Sequence, residues 1–250
     1  MTFIKKLGLI AALGAFLTGC STHRENMRVN HTCFDAPSSV VIARIEGFEK
    51  ANFYKESNKI AGGYLSIAED LLGAAVSLEL SNAIENINTA PLLDQGYYTP
   101  FDKFFAAKHF RVVKDFTPIK RGDLSSHKTN EDTYSPYDWS ILQKKHNVDY
   151  ALVLKPELFG VKRSYFSVIP TGAPTSTATF TLSFIRLRDG KLMAHYNAET
   201  EKNVIGEWDA PPAYEALTSS IRTALINSLD DAHEHMFGDD LDMDDELDLK

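Results

Sequence analysis

Cysteine is nearly absent from this chain, with two thiols, Cys20 and Cys33, in 250 residues. A disulfide framework of the kind that staples small secreted domains is therefore excluded. Long apolar runs are scarce as well. The one from Leu7 to Leu17 stops short of the roughly 20 residues a bilayer-spanning helix needs. Cations are in deficit, 26 Lys and Arg against 34 Asp and Glu, and no basic nucleic-acid footprint exists. Also missing are a Gly-x-Ser-x-Gly elbow, a phosphate-binding glycine loop and a His-Glu-x-x-His zinc helix. No internal repeat is visible. Spatial pairs of carboxylates are invisible at this level, so a glycoside-type site is neither indicated nor excluded.

What is present begins at the N-terminus. Lys5 and Lys6 precede the apolar run, which ends in Thr18-Gly19-Cys20 and gives way to the polar Ser21-Thr22-His23-Arg24-Glu25-Asn26. A short basic segment followed by about ten apolar residues is the layout of a secretory signal. Leu17-Thr18-Gly19-Cys20 resembles the bacterial lipobox, Leu-(Ala/Ser/Thr)-(Gly/Ala)-Cys. The resemblance implies a signal peptide over residues 1–19, cleavage before Cys20, a diacylglycerol on its sulfur and an acyl chain such as palmitate on its new amino group. It also implies, through Ser21 in place of Asp, an outer-membrane destination facing the periplasm. Each buried methylene adds about 0.8 kcal/mol, so several acyl chains hold firmly. This covalent lipid on Cys20 is the only cofactor expected, and no metal is. Cys33 is left without a partner in the chain, either a quiet buried thiol or an intermolecular bridge.

The formal charge of −8 is unevenly placed. From Asp230 onward ten acidic residues face Lys250 alone, whereas the stretch from Cys20 to Leu229 is close to neutral. Residues 238–250 read as an acidic, self-repelling, disordered tail, with a docking peptide for a basic partner as the alternative. Residues 20–37 read as the lipidated N-terminus and a polar tether. A flexible tether of that length would reach about 20–25 Å. Residues 38–237 remain for one domain.

Within it, Val40-Val41-Ile42-Ala43-Arg44-Ile45 predicts a strand, and 46–63 a polar loop. Leu65, Ala68, Leu72, Val76, Leu80, Ala83, Ile84 and Ile87 recur at helical steps. Thr99-Pro100 starts a short helix, Phe110–Phe116 reads as a strand, and Ser135-Pro136 opens another helix that Asn147 stops. Asp149 to Val161 is a strand with a bulge or edge at Pro156. Residues 164–177 read as an apolar loop. Phe180, Leu182 and Phe184 alternate with Thr179, Thr181 and Ser183 in a strand that the Asp189-Gly190 turn joins to Leu192–Ala198. Leu217, Ile221, Leu225, Leu229, Ala232 and Met236 form the buried stripe of a last helix, ended by Gly238. The expected class is α+β, an α/β two-layer fold in which a mixed β-sheet with hairpin-connected strands packs on about three main helices.

Asn147-Val148-Asp149-Tyr150-Ala151-Leu152-Val153 is similar to the "GADYVL"-like strand entry of periplasmic proteins sharing the TolB N-terminal fold. That group includes the curli-secretion protein CsgG, the penicillin-binding-protein activator LpoB and the Pel polysaccharide lipoprotein. Its hairpin reads roughly "L-x-D-x-x-(D/N)-G-x-(L/V)". Ile185-Arg186-Leu187-Arg188-Asp189-Gly190-Lys191-Leu192 keeps the turn and lacks the earlier aspartate. The resemblance spans residues 38–237 and implies an accessory of an envelope assembly rather than an enzyme.

Among candidate sites, His233-Glu234-His235 places two imidazoles about 200° apart on a helix, unsuited to one metal. Tyr165, Phe166, Val168 and Ile169 in the apolar loop suggest an interaction surface for a partner or a second copy. A pore is not expected, because a membrane hairpin needs two strands of about 9–11 residues and Pro170, Gly172 and Pro174 interrupt this segment. The leading functional expectation is a non-enzymatic outer-membrane lipoprotein, an accessory or scaffold for secretion, polysaccharide export or cell-wall synthase control, with an envelope protein partner or a homo-oligomer. The alternative is a small-ligand or glycan-binding periplasmic lipoprotein with Trp139, Tyr165 and Phe166 around a groove. An envelope hydrolase comes third.

Overall fold

The computed structural model describes residues 24–47, 49–58, 80–85, 87, 98–127, 131–166, 169–210 and 214–238. The segment expected to be a signal peptide, Cys20, most of the helix expected over 65–87, Val168 and the acidic residues from 239 onward lie outside the described residues.

One open mixed sheet is built from β1 (Ser39–Ile45), β2 (Asn52–Asn58), β3 (Arg111–Ile119), β4 (Tyr150–Phe166), β5 (Ile169–Pro170), β6 (Thr175–Arg186) and β7 (Lys191–Asn203). Helices α1 (Thr99–Ala107), α2 (Ser140–His146) and α3 (Glu215–Phe237) join a helical segment at 80–85. The strand order is β3-β1-β4-β6-β7, with β2 and β5 each paired to β4. β1 is parallel to β3 and β4, and β4, β6 and β7 are antiparallel. This is the α+β class expected.

β1 is buried at every position, which accounts for its unbroken β-branched run: a parallel strand inside a sheet meets apolar neighbours on both faces. The larger core lies on one face. There Leu152, Leu154, Phe180, Leu182 and Phe184 meet α1 and the α3 stripe, whose expected residues Leu217, Ile221, Leu225, Leu229, Ala232 and Met236 are all buried. The opposite face carries a smaller cluster, in which Val41, Ala43, Val153 and Ile185 pack on Trp139 and on Leu142 of α2. Asn147 stops α2 in the left-handed conformation at φ 49°, as expected. The sheet register shifts between Pro156 and Leu158, the bulge that the proline announced.

Four expectations change. The polar loop over 46–63 contains β2, parallel to the distal half of β4. The helix expected from Ser135 begins at Ser140. Ser135 Oγ instead takes the Trp139 Nε1–H at 2.7 Å and Asp138 caps the Ser140 N–H at 2.9 Å, so the intervening chain is held as a turn. The apolar loop over 164–177 is shorter than expected: β4 continues to Phe166, β5 folds back on it and β6 starts at Thr175. Finally, the tether over 20–37 is docked from Arg24 onward. Met27 exchanges backbone hydrogen bonds with His195 at 2.7 and 2.9 Å, and the Val29 N–H donates to the Met236 carbonyl at 3.0 Å. Val29 is buried, and Phe34 packs among Phe104, Phe105, Phe110 and Phe184. These apolar side chains make the segment a strap along the edge strand β7.

Candidate functional site

A cavity of about 350 Å³ opens on the face of the sheet opposite α3. Its floor follows from strand periodicity. Thr181 is in register with Lys155 and Asn197, and Ser183 with Val153 and His195. Successive rungs thus send polar side chains from three strands to one face. The 135–139 turn forms one wall through Tyr137 and Trp139, and Arg24 of the strap forms another. The apolar end is Ile45, Val153 and Ile185.

The floor is a connected polar network. Thr181 Oγ1 lies 3.1 Å from Glu157 Oε1 and 3.2 Å from Asn197 Oδ1; both are acceptors, so its one proton serves one of them at a time. Lys155 Nζ stands 3.4 Å from Glu157. Asn197 Nδ2 donates to the Arg24 carbonyl at 2.9 Å and to Asn26 Oδ1 at 3.2 Å. The Arg24 guanidinium reaches across to the Tyr134 carbonyl at 2.5 Å. Donors, acceptors and an apolar wall share one cleft, a combination suited to a hydroxyl-rich ligand with a carbon face.

Ser183 Oγ lies 3.1 Å from His195 Nδ1, which is nucleophile-to-base distance. Ser183 sits inside a central strand, however, laddered to β4 and β7. Its neighbouring N–H groups are spent on the sheet, whereas acyl-transfer catalysis needs free donors where an oxyanion develops. The pair reads as a binding element. Among the described residues, no group of three or more His, Cys, Asp and Glu is arranged to hold a metal ion. His233 is half-buried among Phe101, Phe104 and Phe237, and burial pushes its pKa down. His235 lies on Tyr196 at 4.4 Å.

Of the residues expected to form an interaction loop, Tyr165 is 1% exposed, on the inner side of β4, and presents no surface. Phe166 and Ile169 are paired across β4 and β5 and project from the end of the sheet at 54% and 64% exposure. Val168, like Cys20, lies outside the described residues. Of the expected groove aromatics, Trp139 lines the cavity, and Tyr165 and Phe166 stand elsewhere. Thr181 and Ser183 were visible in the sequence only as the polar face of a strand, and Lys155, Glu157, His195 and Asn197 carried no signal as site residues. The signal that was there is the run of polar residues at alternate positions along β6, a strand flanked on both sides.

No family model and no curated protein matches the chain. Solved structures show distant likeness. A DUF330-family protein from Xanthomonas campestris is 9% identical over 78% of this chain and 81% of its own, with a TM-score of 0.38. The PelC dodecamer from Paraburkholderia phytofirmans is 10% identical over 81% and 93%, at 0.31. Lipoprotein GNA1162 from Neisseria meningitidis is 12% identical over 77% and 99%, at 0.25. Likeness at these scores carries no argument about this chain. Among the described residues no helix is long and apolar enough to cross a membrane.

Proposed function

We propose that this protein is an outer-membrane lipoprotein, anchored through Cys20 and facing the periplasm, that works by binding rather than by catalysis in the service of an envelope assembly. Of the binding roles open to it, capture of a small hydroxyl-rich ligand such as a short glycan has the stronger support. One observation carries that reading: a walled cavity of about 350 Å³ whose floor offers Lys155, Glu157, Thr181 and Asn197 beside an apolar end. Sugar recognition uses such a mixture, because each hydroxyl both donates and accepts while the ring's C–H face packs on apolar or aromatic surface. Glu157 beside Lys155 disfavours a simple anion.

The test is a fluorescence titration. The chain has two tryptophans, and the Trp208→Phe variant leaves Trp139 as the reporter in the cavity wall. Maltose, cellobiose and N,N′-diacetylchitobiose are titrated against inorganic phosphate. Saturable binding of a saccharide is expected, weakened about ten-fold by Thr181→Val or Glu157→Gln, the equivalent of one hydrogen bond. A signal that saturates with phosphate alone, or with no saccharide, would overturn the ligand reading.

A further inference from the structure

The charged side chains that line the cavity do not balance. His195 apart, Arg24 and Lys155 stand against Glu157 alone. Lys155 Nζ is 3.4 Å from Glu157 Oε1, and Thr181 Oγ1 is 3.1 Å from the same oxygen, so the floor neutralises its own charge. Arg24 is left over. Among the described residues its guanidinium has no carboxylate partner, and its hydrogen bond goes to a neutral acceptor, the Tyr134 carbonyl. A guanidinium carries five N–H donors, of which this bond commits one. A half-buried cation at the edge of a cavity, without an opposite charge beside it, carries a desolvation cost that a bound anion offsets.

Arg24 is held at both ends. Its carbonyl accepts from Asn197 Nδ2 at 2.9 Å on the β7 side, close to the bridge between Met27 and His195. Its guanidinium is tied at 2.5 Å to Tyr134, the neighbour of Ser135 in the other wall. A guanidinium fixed in this way has little side-chain freedom left to lose on binding. Its planar fork matches a carboxylate, which it takes through two parallel N–H···O bonds. The rest of the cavity says what the carboxylate is attached to. Thr181 and Asn197 supply donors and acceptors that match hydroxyl groups. Tyr137 and Trp139, with ring centroids 6.0 Å apart at 78°, give one wall an aromatic surface. Because Trp139 Nε1 donates to Ser135 Oγ at 2.7 Å, the indole contributes packing. Glu157 accepts from hydroxyls and repels a second negative charge.

We infer that Arg24 sets the specificity of the groove, and that the ligand is an acidic saccharide, a hexuronate-containing glycan whose carboxylate seats on the Arg24 guanidinium while its hydroxyls meet Glu157, Thr181 and Asn197. This rests on the saccharide reading above and narrows it. A carboxylate fits better than a phosphate ester. It is a planar monoanion that one guanidinium balances, whereas the second charge of a phosphate monoester would stand against Glu157. A peptide carboxylate carries the same charge but lacks the ring of hydroxyls that the floor matches. The strap thus takes part in recognition, because the cation that selects the ligand belongs to it.

The experiment titrates the full-length Trp208→Phe chain, read through Trp139, with cellobiose and with cellobiouronic acid, glucuronic acid β-1,4-linked to glucose. The two sugars differ only in a carboxylate that replaces one hydroxymethyl group. The acid is expected to bind about ten-fold tighter or more, the worth of a charge-assisted hydrogen bond. Arg24→Gln keeps the backbone carbonyl that Asn197 uses. It is expected to bring the acid down to the level of cellobiose and to leave cellobiose within about two-fold, a split that one lost charge-assisted contact produces. If Arg24 only held the strap, Arg24→Gln would weaken both sugars together, and that result overturns the assignment. A preference for the acid that survives Arg24→Gln overturns it as well. Equal affinity for the two sugars in the parent chain sinks the inference and leaves the saccharide reading standing, whereas binding of neither ends both. Acetyl-glycylglycine bound as tightly as the acid would make the ligand a peptide carboxylate and refute the saccharide.

Discussion

Gly160 of β4 lies so close to Asn52 of β2 that a Cβ at Gly160 would stand 2.0 Å from the Asn52 carbonyl oxygen. Its φ of +148° is one that side-chain-bearing residues rarely adopt. Here β2 joins β4 in register, Asn52 opposite Gly160, so the glycine is what lets the two backbones approach. Gly160→Ala is expected to destabilise the fold by at least about 2 kcal/mol. Gly172, with open space around its would-be Cβ, is the control, and Gly172→Ala should stay within about 0.5 kcal/mol. Urea unfolding of both variants checks this; equal midpoints would show that the close approach does not constrain β2.

Much of this fold was legible because its driving forces are local. The helical spacing of Leu217 through Met236, the left-handed Asn147 and the Asp189-Gly190 turn each encode their structure within a few residues. What escaped depends on contacts distant in sequence. β2 is polar along Asn52-Phe53-Tyr54-Lys55-Glu56-Ser57-Asn58 and carries no strand pattern; β4, 108 residues away at the Asn52–Gly160 pair, makes it a strand. The strap reads as a tether because Met27, Val29 and Phe34 are spaced with no regular period, and their burial needs β7 and α3 already in place. The groove was visible only in part. Thr181 and Ser183 stood out as a polar face, but the approach of His195, Asn197, Lys155 and Arg24 depends on the sheet order.

Asp115 of β3 accepts from Lys145 Nζ at 2.6 Å and from His146 Nε2 at 2.7 Å, both near the end of α2. Burial alone would raise its pKa; hydrogen bonds from Lys145, His146 and Thr117 outweigh it and hold the carboxyl well below the usual carboxylate range. A depressed folded-state pKa contributes stability that is fully present above the unfolded value, about 3.9, and is lost as pH falls toward the folded value. Asp115→Asn should therefore cost about 1–2 kcal/mol at pH 7, with the gap to wild type closing below pH ~4. Thermal unfolding at pH 7, 5 and 3 checks it, and a gap that is constant with pH would refute the assignment.

The Cys33 thiol is half-buried, and desolvation raises its pKa to about 11, with Asp35 adding to the rise. At pH 8 only about one such thiol in a thousand is ionised, against about a quarter for an unperturbed cysteine. Alkylation by iodoacetamide in the folded protein is expected to run on the order of 100-fold slower than for free cysteine. Unfolding in urea should restore the ordinary rate. Fast labelling of the native protein at pH 8 would revive Cys33 as a bridge-forming thiol.

Asn197 is the residue that ties the strap to the groove. Its side-chain amide donates to the Arg24 carbonyl and to Asn26, and its backbone N–H donates to Asn26 Oδ1 at 2.9 Å. Asn197→Ala removes the two side-chain bonds and leaves the backbone one. If the strap opens locally before cleavage, the loss of about 1.4 kcal/mol of holding energy raises the open population about ten-fold. Trypsin should then cut after Arg24 and Arg28 about ten times faster than in wild type, while sites elsewhere in the body keep their rates, because the α3 stripe and the main core do not involve Asn197. Mass spectrometry of the early fragments separates the two classes of site. Uniform acceleration would point to global destabilisation. Unchanged cutting at Arg24 and Arg28 would mean that the Met27–His195 bridge and buried Val29 hold the strap alone. The selective result is the one that matters for the groove: it would show that docking of the strap depends on the same asparagine that forms part of the groove floor.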